Sequence, residues 1–301
     1  MAGAYLNLTG AMLIAGSAVV VSKRLVGSLP VFLATELSIA IGLLCLMPIT
    51  FLVLREPLIK DRRTNGILFL QALCGVFLYR VLTFWGLHYT SAANSGLITS
   101  STPVFVMILA VILLREKLTG LRIFGALLVS AGLLGIHLIP FGQSGGARAE
   151  SLSGSLLILA AVFCEAVFSV LSKIRCRPMS ALYRTTVITG YAFFLLLPFA
   201  ICDAIRFGRS TLNTASVICV IYNGVFVSFL SYIFWFRGVR KVEAGNAAVF
   251  TGIVPVSSII LSALLLKETV TAIHMAGLLC IGAGILISCR PAGNEKINQS
   301  A

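Results

Sequence analysis

Apolar runs of roughly 20 residues follow one another along nearly the whole chain. Each is long enough to cross a hydrocarbon core about 30 Å thick as a helix. Ten can be delimited: 5–22, 31–54, 66–87, 92–114, 120–139, 153–173, 180–202, 214–236, 244–266 and 270–289. Only 11% of the residues are charged, against roughly 25% in an ordinary soluble domain, so the polar faces of a soluble fold are missing. The expectation is an all-α integral membrane protein with ten transmembrane helices. Short loops leave no room for a separate soluble domain. No basic cluster precedes the first run and another follows almost at once, so the first run is expected to stay as a span rather than be cleaved.

The net charge of +13 invites a nucleic-acid reading, but its placement argues for topology. With both termini cytoplasmic, the inner loops and the C-terminal tail carry 15 Lys and Arg and the outer loops six. That asymmetry follows the positive-inside rule and sets the expected orientation in the cell (inner) membrane. No nucleic-acid partner is expected. Eight Cys are scattered without a C-x-x-C pair, and three isolated His give no metal spacing. The thiols read as small apolar fillers, and neither metal nor cofactor is expected.

The runs are not independent. Gly86, Asn94, Thr99, Pro103, Glu116, Thr119, Gly125 and Gly132 recur, at one shift of 152 positions, as Gly238, Asn246, Thr251, Pro255, Glu268, Thr271, Gly277 and Gly284. Between Phe84 and Gly135, 18 of 52 positions are identical without a gap. Two repeats follow, 1–139 and 153–289, joined by a Gly- and Ser-rich connector at 140–152 and followed by a cytoplasmic tail at 290–301. Five spans per repeat is an odd number, so the second repeat must enter the membrane inverted. Carriers built this way place substrate near the midplane between repeats and alternate access by rocking one bundle against another.

The pattern of Ala92-Ala93-Asn94, Pro103, Glu116, Gly125 and Gly132, repeated as Ala244-Gly245-Asn246, Pro255, Glu268, Gly277 and Gly284, resembles the EamA-type carriers of the drug/metabolite transporter superfamily. The likeness covers nearly all of 5–289. It implies ten spans in a five-plus-five inverted arrangement, and efflux or exchange of small metabolites such as amino acids and related compounds. One position departs from the pattern. Arg184 lies six residues after Pro178, where the family often has a basic residue, but the matching place after Pro30 holds Glu36.

Four ionisable side chains fall inside spans: Glu36, Arg80, Glu165 and Arg184. Each costs at least ~2.5–3.5 kcal/mol at a helix centre and so faces protein or a watery cavity. At ~1.5 Å per residue, Glu36 lies roughly 9 Å deep and Arg80 roughly 12 Å, which allows an ion pair between them. If Arg80 faces the cavity instead, its planar fork suits a carboxylate. Glu165 lies about 18 Å from the outer end of its span. An acid at that depth suits proton-coupled antiport or a substrate amine; the alternative is a structural acid. Arg184, near the cytoplasmic end of its span, reads as a snorkelling residue without a site role.

Pro103 and Pro255 fall mid-span with Thr99 and Thr251 four residues earlier. Each proline frees a carbonyl, which predicts helix kinks and, with the threonine hydroxyls, a polar lining. Asn94 and Asn246 read as helix N-caps, with substrate contact the alternative. Glu116 and Glu268 read as surface ion pairs or loop anchors. Tyr79, Trp85, Tyr222, Tyr232 and Trp235 could line a pocket, but lipid anchoring or core packing is the favoured reading, the two Trp lying where Trp anchors to the interface. Small residues at Ala131/Gly135 and Gly284/Ser288 are explained by packing within one chain and leave the oligomeric state open.

The expected function is a secondary transporter, an exporter or exchanger of small metabolites, with protons as the candidate coupling ion. The partners are lipid and the substrate. A sugar-phosphate or nucleotide-sugar exchanger of the same superfamily is the rival, although only Arg80 is placed to meet such charge; a non-transporting receptor or assembly protein is a further alternative. No enzyme is expected, since no nucleophile, metal set or acid–base pair clusters in the sequence. A P-loop is also missing.

Overall fold

The computed structural model describes residues 2–25, 29–55, 59–90, 95, 98–116, 119–137, 152–174, 176–207, 213–266 and 272–288. The described residues form helices and turns only: α1 (Ala2–Leu25), α2 (Val31–Val53), α3 (Arg62–Tyr89), α4 (Thr102–Leu114), α5 (Gly120–His137), α6 (Leu152–Leu171), α7 (Ala181–Phe207), α8 (Thr214–Val239), α9 (Ala244–Phe250), α10 (Ile253–Leu266) and α11 (Ala272–Ser288). Six stretches are long and apolar enough to cross a membrane: α2, α3, α6, α7, α8 and the pair α9–α10. Residues 140–151 of the connector and the tail lie outside the described residues.

Polar side chains start several of these helices. Asp61 accepts from the Thr64 N–H before α3, Ser180 Oγ from the Tyr183 N–H at α7, and Asn213 from the Ala215 N–H at α8. Each satisfies a backbone donor that a helix start leaves open. The largest core cluster draws Leu8, Ile39, Leu68, Ile188, Leu196 and Phe236 from α1, α2, α3, α7 and α8. Large apolar side chains such as Leu44, Phe194, Leu264 and Leu279 remain exposed. In a membrane protein these meet lipid rather than water.

The two repeats pack crosswise. α3 of the first lies on α6 of the second, while α8 of the second lies on α1 of the first; α4 packs on α6 as α10 does on α1. The duplicated glycines sit at these crossings. A Cβ at Gly86 would strike Ile158 and the Gly154 carbonyl, and one at Gly238 would strike Leu8 and the Ala4 carbonyl. Gly125 faces the Gly284 carbonyl and Gly132 the Gly277 carbonyl, so α5 and α11 run antiparallel in close backbone contact. Close approach through small residues is how helices associate where lipid supplies no hydrophobic drive. Ser288 joins the contact with Gly125, so the small-residue spacing of Gly284/Ser288 serves packing inside the chain.

Glu116, expected as an ion pair or loop anchor, ties one repeat to the other. Its carboxylate accepts from the N–H groups of Ala244 (3.0 Å) and Gly245 (3.4 Å), the open start of α9. Asn246 therefore does not cap that helix. It lies inside the first turn, buried, and its Oδ1 accepts from Ser288 Oγ at 3.2 Å. Charge at a helix start favours an acid there. Glu116→Ala should lower the midpoint of thermal unfolding in detergent by the equivalent of about 1–2 kcal/mol. Glu116→Gln, which still accepts, should recover part of it.

Candidate functional site

The fourth span of the second repeat is interrupted. α9 ends at Phe250, residues 251–252 form a turn, and α10 restarts at Ile253. Thr251 Oγ1 donates to the Ala248 carbonyl at 2.7 Å, and tight i→i+3 backbone bonds replace the α-helical ladder across the turn. Pro255 sits in the first turn of α10, and Pro103 next to the start of α4. These prolines were expected to kink continuous helices. They stand instead where a new helical segment begins and a missing N–H costs nothing. Interrupted helices at membrane depth are tolerated where the backbone lines a cavity or is buried in protein.

Two further irregularities match across the repeats. α3 widens to a π-helical stretch at Leu73–Leu78 and α8 at Asn223–Ser231. Immediately after them come Tyr79-Arg80 and Tyr232, and at the 152-residue shift Arg80 corresponds to Tyr232. The widening changes which face of the helix these side chains occupy, and π-stretches are often found at functional sites.

Glu165 on α6 and Thr102 at the start of α4 meet the same region. Thr102 Oγ1 lies 3.3 Å from Glu165 Oε2 and 2.7 Å from the Thr99 carbonyl. A hydroxyl holds one proton, so Thr102 gives it to one of these acceptors at a time. Arg80 Nη1 donates to Thr35 Oγ1 at 3.1 Å. Tyr79 and Tyr232 both lie within electrostatic reach of Arg80 and of Glu165. None of Tyr79, Arg80, Glu165 and Tyr232 is fully buried, although all lie inside their helices. A cation and an anion thus both lie within electrostatic reach of Tyr79 and Tyr232, and each meets a neutral hydroxyl.

The Glu36–Arg80 ion pair that similar depth allowed does not form. Arg80 turns to Thr35, the neighbour of Glu36, and both Glu36 oxygens are buried without a hydrogen-bond partner among the described residues. The helix sends adjacent residues to different faces, so similar depth did not make them partners. Arg184 is not a snorkelling residue. It is buried, donating to Gln71 Oε1 (3.2 Å) and to the carbonyls of Ser172 (2.8 Å) and Leu171 (3.1 Å) at the end of α6. Trp235 is also buried, in the core rather than at an interface, while Trp85 is 45% exposed. Tyr222 is tied to Ser17 at 2.7 Å, away from the Arg80–Glu165 region in its bonding. Asn94 lies outside the described residues, and Thr99 enters through its carbonyl.

Thr102 and Thr35 escaped the sequence reading. Nothing distinguishes them from other span threonines except the charged residues they meet. The thiols were read as scattered fillers, yet Cys74 of α3 and Cys164 of α6 interact with each other, the latter directly before Glu165.

Comparison with known proteins agrees with the repeat. A model of the EamA-like transporter family matches residues 2–138 and again 152–290. The uncharacterized transporter YetK of Bacillus subtilis (strain 168) is 36% identical over 98% of this chain and 91% of its own length. A protein of Streptantibioticus cattleyicolor named a probable terminal-alkyne amino-acid exporter is 25% identical over 75% of this chain and 74% of its own. One solved crystal structure superposes with a TM-score of 0.78 at 21% identity, covering 96% of this chain and 97% of the other, and so shares the fold.

Proposed function

The chain belongs to the EamA-like transporter family, and we propose that it is a secondary transporter that exports or exchanges small zwitterionic metabolites, amino acids foremost, by alternating access. Arg80 and Glu165 carry this reading: opposite charges that both lie within electrostatic reach of Tyr79 and Tyr232, neither closed off by a salt bridge among the described residues. Arg80 has one neutral partner for five N–H donors, which leaves its fork for a carboxylate. Glu165 takes the substrate amine or, between substrates, a proton. The lone Thr102 proton suits both states of that acid: a charged Glu165 accepts from the hydroxyl, and a protonated one donates to it.

Ten spans in a five-plus-five inverted repeat complete the proposal, with repeats at 1–139 and 153–289. The crosswise contacts of α1 with α8, α3 with α6 and α5 with α11 support it. So does the antiparallel meeting of glycines that occupy matching places in the two repeats. The excess of Lys and Arg on one set of loops favours cytoplasmic termini in a cell membrane. The Streptantibioticus relative named as an amino-acid exporter favours amino acids over sugar phosphates, as does Arg80 as the one cation there among the described residues.

The test is counterflow in proteoliposomes. Vesicles preloaded with each amino acid in turn should accumulate the labelled form saturably, and as the preload runs out down its gradient an entrapped pH dye should report protons entering. Glu165→Gln should remove the proton signal. Counterflow of sugar phosphates in place of amino acids, or no counterflow by folded protein, would overturn the reading.

A further inference from the structure

At the end of the bundle opposite the α7–α8 connection, a cavity of ≈ 210 Å³ opens between the 172–180 turn, the start of α7 and the end of α8. Lys173, Arg177, Arg184 and Arg240 line it, and no carboxylate does among the described residues. Two of these cations have neighbours of opposite charge. Arg177 lies near Asp61, whose carboxyl is held below its ordinary range first by hydrogen bonds from Thr64 and then by that arginine. Lys173 donates to the carbonyls of Val239 and Val242 and feels Glu116 and Glu243; burial lowers its ammonium pKa.

Among the described residues, Arg184 and Arg240 have no carboxylate partner. Arg184 is 7% exposed, and its three acceptors are neutral. Its guanidinium lies 5.2 Å over the ring centroid of Phe236. Arg240 also donates to a neutral carbonyl, that of Met179, and sits close enough to Arg184 to repel it. Binding the carbonyl end of α6 offsets part of the cost of burying Arg184. It gives no reason for a second guanidinium beside it. A buried cation without a counter-charge is expensive, and two facing one cavity make a place for an anion. The start of α7 opens on the same space, where helix N–H groups and the Ser180 hydroxyl add donors.

We propose that this cavity binds a phosphate group, with Arg184 and Arg240 as its cationic ligands. Two guanidinium forks and a hydroxyl match tetrahedral oxygens better than they match a lone carboxylate. The expected orientation puts the cavity at the inner membrane surface, where basic pockets between helices take acidic headgroups. The phosphate belongs either to an anionic phospholipid or to a soluble ion.

The experiment is thermal unfolding of the full chain in neutral detergent, titrated separately with dioctanoyl phosphatidylglycerol, dioctanoyl phosphatidylcholine and inorganic phosphate. Arg240→Gln is the informative variant, because Arg240 is exposed and its loss should leave the fold intact. Lys60→Gln, another exposed cation at this end, is the control for general charge. The expected result is a saturable rise in the unfolding midpoint. Arg240→Gln should weaken the apparent affinity about tenfold, and Lys60→Gln should leave it unchanged. A response to phosphatidylglycerol alone identifies the lipid as the source. An equal response to inorganic phosphate identifies a soluble anion. No saturable shift, or the same shift in Arg240→Gln as in the unaltered chain, would overturn the proposal.

Discussion

Arg80→Gln should reduce transport of a carboxylate-bearing substrate by about 100-fold or more, since losing one member of a desolvated, hydrogen-bonded charge pair costs about 2–5 kcal/mol. The protein should still fold. Arg80 makes a single bond, to the Thr35 hydroxyl, so its removal orphans one group that can turn to other acceptors. Arg80→Lys separates charge from shape. It keeps the cation but loses the planar fork, and a substrate held by two parallel N–H bonds should still be transported about tenfold less well. Thr35→Val should act in the same direction and more weakly, by releasing the guanidinium from its one anchor. Initial rates of counterflow over a concentration series make the measurement, with unfolding midpoints as the check on folding. If Arg80→Gln moves substrate at the normal rate, the cation is structural and the site lies elsewhere.

The sequence announced the membrane class because apolar length alone decides it, and it announced the repeat because identical residues recur at one shift. The crosswise glycine contacts were foreshadowed by Gly125, Gly132, Gly277 and Gly284, although nothing in the sequence says which glycine meets which. The candidate site was half visible. Glu165 and Arg80 stand out because a charge inside an apolar run is costly wherever it points. Their partners do not stand out, because Thr35 and Thr102 are ordinary threonines until the fold brings them alongside. The π-helical stretches before Arg80 and Tyr232 carry no residue signature, and they defeat depth arguments based on a regular rise per residue. Glu36 shows the same limit. Depth placed it near Arg80, whereas the face of the helix placed Thr35 there instead. Arg184 failed for another reason: being near the end of a span suggests an escape to water, but the carbonyls closing α6 lay nearer.

Gly284→Val should destabilise the protein by ~1–3 kcal/mol or more, the range for forcing extra atoms into a close-packed contact. A Cβ at Gly284 would stand 2.6 Å from the Gly125 carbonyl oxygen and 3.0 Å from the Val129 nitrogen. Both are backbone atoms, so no side chain can swing aside, and α5 and α11 must move apart. The contact is reciprocal. A Cβ at Gly125 would meet the Gly284 carbonyl oxygen at 2.7 Å and the Ser288 nitrogen at 3.1 Å. Gly125→Ala and Gly284→Ala should therefore cost similar amounts. Their double variant should cost clearly less than the sum, because one separation of the helices relieves both clashes. Gly282→Ala is the control: on the same helix, nothing lies within 4 Å of the added atom, and its midpoint should hold or rise slightly. Additive losses from the two alanines would mean that the clashes are relieved separately, so α5 and α11 would not be held as one rigid contact. Sub-additive losses would mark this pair of helices as one rigid contact, with both clashes relieved by a single separation.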